Sequence, residues 1–444
     1  MSSLGFQRVY RALMDADGLA CERAFLDDEC EDDLARKPER PVTYESGRPI
    51  DDLPVLAFSV AYELEIAGVV RMLTAAGIPP DRHRRDGRHP LVIGGGPLTF
   101  SNPLPLAAIV DAIVVGEADS RVVTVVRTAS EASSRAAALD ALARLDHVFV
   151  PTHHLVLPAV GAEDDALLPA VSTIRTPHAE LANMFLIEAE RGCSRGCRYC
   201  VMRRSTNGGM RVVPADVVLR AIPEDARRVG LVGAGVSDHP HIVSIVSALA
   251  DRGCEVGLSS LRPDRLATQE NFVAALARAG TRTLTTAMDG TSERVRATLE
   301  RKAHPRHLQR CAELARENSM DRLKLYLMVG TPGEENADVD ECVELVAGLS
   351  RIVPIVVGVA PFCPKRNTPL SAAPFAGVRV IDDRLDRLRR GLKGRADVRA
   401  TSARWAWVEH VLALGGEREG AAVIEAVQRG GSHRAYAQAF GSEG

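Results

Sequence analysis

Three cysteines lie on one short loop, and their spacing is suited to an iron–sulfur cluster. Cys193, Cys197 and Cys200 follow the apolar run at residues 185–187, which is typical of a buried strand. Three thiolates can each ligate one iron of a cubane and leave the fourth iron free to bind a small molecule. A zinc site is the main alternative, but it needs four ligands, and the next Cys or His after Cys200 is His239. The spacing therefore predicts a [4Fe-4S] site with one open iron.

The composition indicates an ordinary globular protein. Of 444 residues, 46% are hydrophobic and 25% are charged, and the net charge of -3 predicts no general attraction to nucleic acid or to an anionic membrane. The nine cysteines are odd in number and scattered apart from the one cluster, unlike a disulfide framework. No apolar stretch approaches the roughly 20 residues that cross a bilayer, and no signal-peptide pattern follows Met1. We expect a cytoplasmic protein.

Hydrophobic periodicity predicts two α/β domains and a helical end. Over residues 1–150, buried strand patterns alternate with helical ones, as in a flavodoxin-like doubly wound sheet. Residues 151–182 lose this periodicity and are interpreted as a connector. Residues 183–362 contain six apolar runs, most of them followed by a helical segment, which predicts a partial (β/α)6 barrel with its reactive loops at the strands' C-terminal ends. Residues 363–444 are predicted to form a helical C-terminal region.

The cysteine loop and the six repeats behind it together resemble the radical SAM superfamily. The motif is C-x3-C-x2-C, with the aromatic residue Tyr199 directly before the last cysteine. The resemblance implies that the open iron chelates the amino and carboxylate groups of S-adenosylmethionine (SAM). It also implies that one electron from the cluster, supplied by a donor such as flavodoxin or ferredoxin, cleaves SAM to a 5'-deoxyadenosyl radical. No catalytic side chain is assigned by the resemblance.

The resemblance further implies contacts to SAM at the ends of successive strands. Its Gly-Gly-Glu-like turn for the SAM amino group corresponds to Gly233-Ala234-Gly235, which has no carboxylate and leaves open whether Asp238 or a backbone carbonyl takes that role. Two serines and an aspartate are placed to bind ribose or methionine, and a Gly-Pro turn lets backbone approach adenine. Arg301 and Lys302 either meet the SAM carboxylate or are helix-surface charges. The implied cofactor-binding residues are Tyr199, Gly233, Gly235, Ser259, Ser260, Asp289, Gly330 and Pro332.

Several stretches resemble a narrower subgroup that has an amino-terminal cobalamin-binding-like domain. Among them are Gly94-Gly95-Gly96-Pro97 and the tail segment at residues 404–407. The Asp-x-His-x-x-Gly loop that carries a cobalt ligand in such domains is absent, and residues 81–87 are interpreted as a charged surface loop. The three glycines either admit a corrin or form an ordinary strand-to-helix turn. Cobalamin therefore stays open as a cofactor.

The first helix begins within a few residues of Met1, so we expect the first domain to lack the strand that normally precedes this helix. Two explanations are open. Either the natural reading frame begins upstream of Met1, or this member of the subgroup has lost the strand.

With cobalamin, the expected reaction is methyl transfer to an unactivated substrate. One alternative is a methylthiotransferase that modifies tRNA or protein, but such enzymes bind a second cluster through three amino-terminal cysteines, and only Cys21 and Cys30 precede the loop. Another alternative is a non-catalytic iron–sulfur redox or sensor protein, although such proteins usually ligate every iron. A small molecule or a peptide is the expected substrate, and neither a membrane nor nucleic acid is expected as a partner.

Overall fold

The structure is a computed structural model that describes residues 2–26, 38–202, 209–259 and 261–441. It divides into two compact units, which we call the cysteine unit and the amino-terminal unit. The cysteine unit comprises residues 1–4, 168–364 and 368–407, and the amino-terminal unit comprises residues 5–167, 365–367 and 408–444.

These boundaries differ from the predicted ones in two places. The expected connector at residues 151–182 is divided between the units after Leu167. The expected C-terminal region at residues 363–444 is not a unit of its own, because its last part belongs with the amino-terminal sheet. A stretch without periodicity can pack as firmly as a helix, so composition alone does not mark it as a linker.

The strands are β1 Val55–Ser59, β2 Leu91–Gly95, β3 Ala112–Val114, β4 Val148–Phe149, β5 Phe185–Glu188, β6 Glu190–Gly192, β7 Met210–Val212, β8 Arg228–Val232, β9 Glu255–Leu258, β10 Thr283–Asp289, β11 Arg322–Val329, β12 Ile355–Pro361 and β13 Ala396–Ala400. The α-helices of the described residues are α1 Leu4–Met14, α2 Ile66–Ala75, α3 Arg121–Glu131, α4 Arg135–Leu142, α5 Ala215–Ala221, α6 Ile242–Asp251, α7 Pro263–Leu266, α8 Glu270–Arg278, α9 Glu293–Thr298, α10 Pro305–Glu317, α11 Asn336–Leu349, α12 Val378–Leu392, α13 Ala403–Leu414, α14 Glu417–Gln428 and α15 His433–Phe440. None of these helices is long and apolar enough to span a membrane.

The amino-terminal unit contains one sheet in the order β1-β2-β3-β4. The first three strands are parallel, and β4 runs antiparallel to β3. Ile93 and Val114 of the sheet pack against Val125 of α3 and Leu142 of α4 in a buried core. The apolar runs that predicted strands in this region are thus strands.

The cysteine unit contains all six strands that the sequence predicts there. They form two parallel groups, β5-β8-β9 and β10-β11-β12-β13, and a parallel bridge between Leu261 and Thr286 connects the groups. The apolar side chains of these strands and of the helices beside them share one buried core. Parallel strands of this kind present their C-terminal ends on one edge, where the loops that carry chemistry gather.

Three strands of this unit were not predicted, namely the short hairpin strands β6 and β7 and the strand β13. β13 pairs in parallel with β12 inside the region expected to be helical, so that prediction was wrong for residues 396–400. This strand contains the charged residues Asp397 and Arg399, and none of its residues is fully buried. It therefore lacks the continuous apolar run by which buried parallel strands are recognised.

Two helical glycines of the amino-terminal unit allow a direct test of packing. Gly420 of α14 is buried, and a Cβ there would lie 2.7 Å from the carbonyl carbon of Pro105, whereas a Cβ at Gly68 of α2 would meet nothing within 4 Å. We predict that Gly420→Ala lowers the free energy of unfolding by about 1–3 kcal/mol, because the added methyl group overpacks the contact. Gly68→Ala should raise it by about 0.5–1 kcal/mol, because alanine favours the helix. Urea unfolding measures both, and equal effects would contradict the described packing of α14.

Candidate functional site

The three cysteines lie on the loop between the short antiparallel strands β6 and β7. This hairpin separates the loop from β5, although the sequence predicted that the loop follows β5 directly. Burial raises the pKa of Cys193 and raises that of Cys200 to about 11, and in both cases the charge of neighbouring thiols adds to the effect. Cys193 and Cys200 therefore lie near other thiols of the loop, and the raised pKa of each favours the protonated thiol until a metal displaces the proton.

The donor set fits a cubane with three protein ligands. All three cysteines are free thiols, and Cys197 is 8% exposed. Within the described ranges, no three Cys, His, Asp or Glu side chains are gathered as ligands of a single metal ion. A cubane instead takes one thiolate on each of three separate irons.

Aspartates that follow neighbouring strands hold the first half of the cysteine loop. The Ser194 hydroxyl donates to Asp238 Oδ2 at 2.8 Å, and Arg195 donates to Asp264 Oδ2 at 3.0 Å. Asp238 comes after β8, and Asp264 comes after β9. This half of the loop is thus tied to the strand ends by charged and polar contacts.

A third aspartate holds the second half of the loop. The Tyr199 hydroxyl donates to Asp289 Oδ2 at 2.7 Å, and Arg301 Nε lies 2.7 Å from the same oxygen. Burial raises the pKa of Tyr199, and the Asp289 carboxylate adds to this effect. Burial alone would lower the pKa of Arg301, but the charges of Asp289, Tyr199 and Cys197 together outweigh it, so the net pKa is raised. Asp289, which the sequence placed against ribose or methionine, binds Tyr199 and Arg301 in the structure.

Asp238 is already engaged by several partners. Its side chain is 3% exposed, Oδ1 accepts hydrogen bonds from Arg262 and Arg265, and Oδ2 accepts the one from Ser194. The sequence left open whether Asp238 or a backbone carbonyl binds the SAM amino group. In the structure, the contacts of Asp238 organise the loop and its arginines.

A buried carboxylate that the sequence did not single out lies beside the Gly233-Ala234-Gly235 turn. Glu190 is 0% exposed, and its Oε1 accepts a hydrogen bond from the Gly235 N–H at 2.6 Å. A Cβ at Gly233 would lie 2.7 Å from Glu190 Cδ, so the turn must have glycine there to make room. Burial raises the pKa of Glu190 to about 7, and the Gly235 N–H opposes this rise.

Of the other implied SAM contacts, the described ones follow β9 and β11. Ser259 follows β9 and is exposed, while Ser260 lies outside the described residues. Gly330 follows β11 with φ +78°, and a Cβ there would lie 3.1 Å from Ile381 Cγ1, so both backbone shape and packing require glycine. Buried Glu334 accepts the Gly330 N–H at 2.6 Å and fixes the turn that also contains Pro332.

A cationic cleft lies next to Cys197. Its positive side chains are Arg195, Arg262, Arg301 and Lys302, and Asp264 and Glu300 complete the lining. Arg301 and Lys302 therefore border the cysteine loop and are not remote helix-surface charges.

Two glycines at strand ends of the amino-terminal unit are required by packing within the chain. Gly96 has φ +96°, and a Cβ there would lie 2.8 Å from the backbone N and O of Val60. Gly116 has φ +100°, and a Cβ there would lie 3.0 Å from the carbonyl carbon of Gly161. The chain's own backbone thus comes so close to these two residues that both positions require glycine. The loop at residues 81–87 exposes His83, as predicted for a surface loop, but it buries Arg85 against Asp111.

Two family models match the chain, one in each unit. The model described as Radical SAM proteins, N-terminal, matches residues 5–151, and the one described as Radical SAM superfamily matches residues 187–346. The chain belongs to the radical SAM superfamily. The radical SAM domain implies a [4Fe-4S] cluster and SAM as cofactors.

A relative of this radical SAM protein is the uncharacterized protein MJ0966 of Methanocaldococcus jannaschii, which is 26% identical over 304 residues. The match covers 66% of this chain and 64% of the relative, so the chain spans less than two thirds of that protein's length.

Solved structures share the α/β fold. TsrM, a radical SAM methyltransferase from Kitasatospora setae solved with cobalamin and a [4Fe-4S] cluster, has a TM-score of 0.54 and 14% identity, over 85% of this chain and 74% of that chain. A TsrM structure with tryptophan and a SAM analogue gives 0.55 and 14%, over 86% and 73%. OxsB, a cobalamin-dependent SAM radical enzyme solved with aqua-cobalamin and SAM, gives 0.51 and 9%, over 88% and 54%. The fold therefore resembles that of cobalamin-dependent radical SAM enzymes.

The contacts of Asp238 predict a large effect of its removal in this radical SAM protein. Asp238→Asn removes the buried charge that pairs with Arg262 and Arg265 and leaves Arg262, whose side chain is 9% exposed, with Asp264 as its remaining charge partner. We therefore predict a loss of about 2 kcal/mol in the free energy of unfolding. Urea unfolding of the metal-free protein measures the loss. The control is Asp251→Asn, which removes an exposed pair with Arg278 and should cost less than about 1 kcal/mol. A loss at Asp238 no larger than the control's would contradict its structural role.

Proposed function

We propose that the chain holds a [4Fe-4S] cluster through Cys193, Cys197 and Cys200 and reductively cleaves SAM at it. The observation that carries this proposal is the set of three free thiols on one anchored loop, which leaves the fourth iron of a cubane without a protein ligand. When bound, the cluster supplies the electron that splits the sulfonium and yields a 5'-deoxyadenosyl radical. An electron donor such as flavodoxin or ferredoxin would supply that electron.

The residues around the loop are assigned to different parts of SAM. The cleft beside Cys197 is positively charged on balance and suits the SAM carboxylate, which we assign to Arg301 and Lys302. Because Asp289 orients both Tyr199 and Arg301, we assign it a positioning role rather than a direct contact with ribose. Ser259 is exposed at a strand end and is assigned to the ribose hydroxyls. The backbone at Gly330 and Pro332 is assigned to adenine.

Cobalamin-dependent methyl transfer is the second candidate function. It is supported by the fold shared with TsrM and OxsB, whose cobalamin-bound structures match 85% and 88% of this chain. Because Gly96 and Gly116 serve packing, we assign no corrin contact to them and derive no step through cobalt. The substrate in either case is a small molecule or a peptide.

The first prediction of this proposal concerns SAM cleavage. Anaerobically reconstituted protein given SAM and dithionite should release 5'-deoxyadenosine, which chromatography quantifies. Cys197→Ala should release no more than cluster-free protein, because one iron of the cubane loses its ligand. The matched control is Cys254→Ala in the same unit, whose buried thiol donates to the Ala226 carbonyl at 3.3 Å and takes no part in the loop.

Cys254→Ala should retain both the cluster and the cleavage activity. If the unsubstituted protein holds a complete cluster but releases no 5'-deoxyadenosine, the enzymatic proposal is wrong, and a redox or sensor role replaces it.

The second prediction concerns cobalamin. Protein produced with hydroxocobalamin and purified anaerobically should carry about one corrin per chain, detected by its absorbance, if methyl transfer is the function. A chain that retains no corrin yet releases 5'-deoxyadenosine would exclude the methyl-transfer candidate and leave the radical chemistry intact.

A further inference from the structure

We propose that Glu190 provides the carboxylate that accepts hydrogen bonds from the amino group of SAM, a carboxylate that the Gly233-Ala234-Gly235 turn lacks. The assignment rests on the proposed function, because it presupposes that SAM binds beside the cysteine loop. It gives a specific side chain to a contact for which the sequence offered only Asp238 or a backbone carbonyl.

The position of Glu190 brings a carboxylate next to the first cysteine. Glu190 begins β6, three residues before Cys193, and its Oε1 accepts the Gly235 N–H at 2.6 Å. A Cβ built on Gly235 would lie 3.7 Å from Cys193 Sγ and 4.0 Å from Glu190 Oε1. Position 235 thus lies close to both the first cysteine and the Glu190 carboxylate.

The second oxygen of Glu190 has no partner. Oε2 is buried and makes no hydrogen bond to any described residue, and no ion pair within the described ranges includes Glu190. An unsatisfied buried carboxylate oxygen is costly, and structures rarely keep one without a donor supplied from elsewhere. A ligand ammonium group is the strongest such donor, because it brings both hydrogen bonds and the opposite charge.

The neighbouring carboxylates are already occupied. Glu188 pairs with Arg191 at 2.6 Å and accepts the Ala170 N–H at 3.1 Å. Asp238 binds Arg262, Arg265 and Ser194. Asp289 shares one oxygen between Tyr199 and Arg301, as described above. Of these carboxylates, Glu190 alone combines complete burial, a place beside Cys193 and an orphaned oxygen among the described residues.

The need for glycine at position 233 follows from the same arrangement. A Cβ there would overlap the Glu190 carboxylate, with Cδ only 2.7 Å away. The turn therefore has the shape that admits a glutamate from the neighbouring strand. Gly233→Ala should displace the carboxylate without removing it, which gives a second and independent way to perturb the contact.

The test measures binding rather than turnover. Equilibrium dialysis of the oxidised, cluster-loaded protein gives Kd for SAM and for a SAM analogue that lacks the α-amino group, with iron content used to normalise each sample. Glu190→Gln keeps the size of the side chain and an oxygen for the Gly235 N–H but removes the charge. We expect it to weaken SAM binding about tenfold or more, while the Kd of the deaminated analogue changes less than about twofold.

Glu188→Gln is the matched control, since it removes a carboxylate from the adjacent strand whose partners all belong to the chain. It should change the Kd of both ligands by the same small factor. Gly233→Ala should reproduce the selective loss of SAM affinity. If Glu190→Gln does not take up a cluster, the Kd values of Gly233→Ala test the assignment instead.

The assignment is overturned if Glu190→Gln binds SAM as tightly as the unsubstituted protein, or if both ligands weaken by the same factor. A selective loss in Glu188→Gln equal to that in Glu190→Gln also overturns it. If the unsubstituted protein holds its cluster but does not bind SAM at all, the proposed function itself fails, and the role of Glu190 fails with it.

Discussion

The site depends on the way carboxylates at successive strand ends hold a loop that has little apolar anchorage of its own. The contacts are Asp238 with Ser194, Asp264 with Arg195, and Asp289 with Tyr199. Together they fix both halves of the loop to the strand ends. The apolar part of the anchorage is the Tyr199 ring, which packs against a small buried cluster that includes Leu299 and Phe362. A loop that must bring three thiols to one cluster gains a fixed shape from these contacts.

The same arrangement places opposite charges where the cofactors need them. The aspartates hold arginines close to Cys197, which makes the cleft beside it cationic. Glu190 is a buried acidic group next to Cys193 and the Gly235 N–H. The methionine part of SAM carries an ammonium and a carboxylate group on the same carbon, so a cationic cleft and a buried carboxylate near the cysteines offer a partner of opposite charge to each.

Much of the fold follows from the sequence, because buried parallel strands are read as apolar runs. All six strands predicted for residues 183–362 are present, and so are the three at residues 55–115. β13 was missed because its charged residues interrupt the apolar pattern. The unit boundaries were missed because residues 408–441 pack with amino-terminal segments that lie far away in sequence, through contacts such as that between Gly420 and Pro105.

The site was predicted less completely than the fold. The cysteine motif has a spacing that identifies it, but Glu190 has no signal of its own, since an acidic residue near a strand end is usually a surface charge. Only the approach of Gly233 and the Gly235 N–H reveals its place. For Gly94-Gly95-Gly96 the sequence left open a corrin contact or an ordinary strand-to-helix turn, and in the structure Gly96 lies against the chain's own backbone.

The central claim is that the three cysteines leave one iron of a [4Fe-4S] cluster open to SAM. Mössbauer spectroscopy of protein reconstituted with 57Fe tests it most directly, because it reports the surroundings of each iron. The account predicts that adding SAM changes the signal of one iron in four and leaves the other three unchanged. Four irons that are equivalent before and after SAM is added would contradict it.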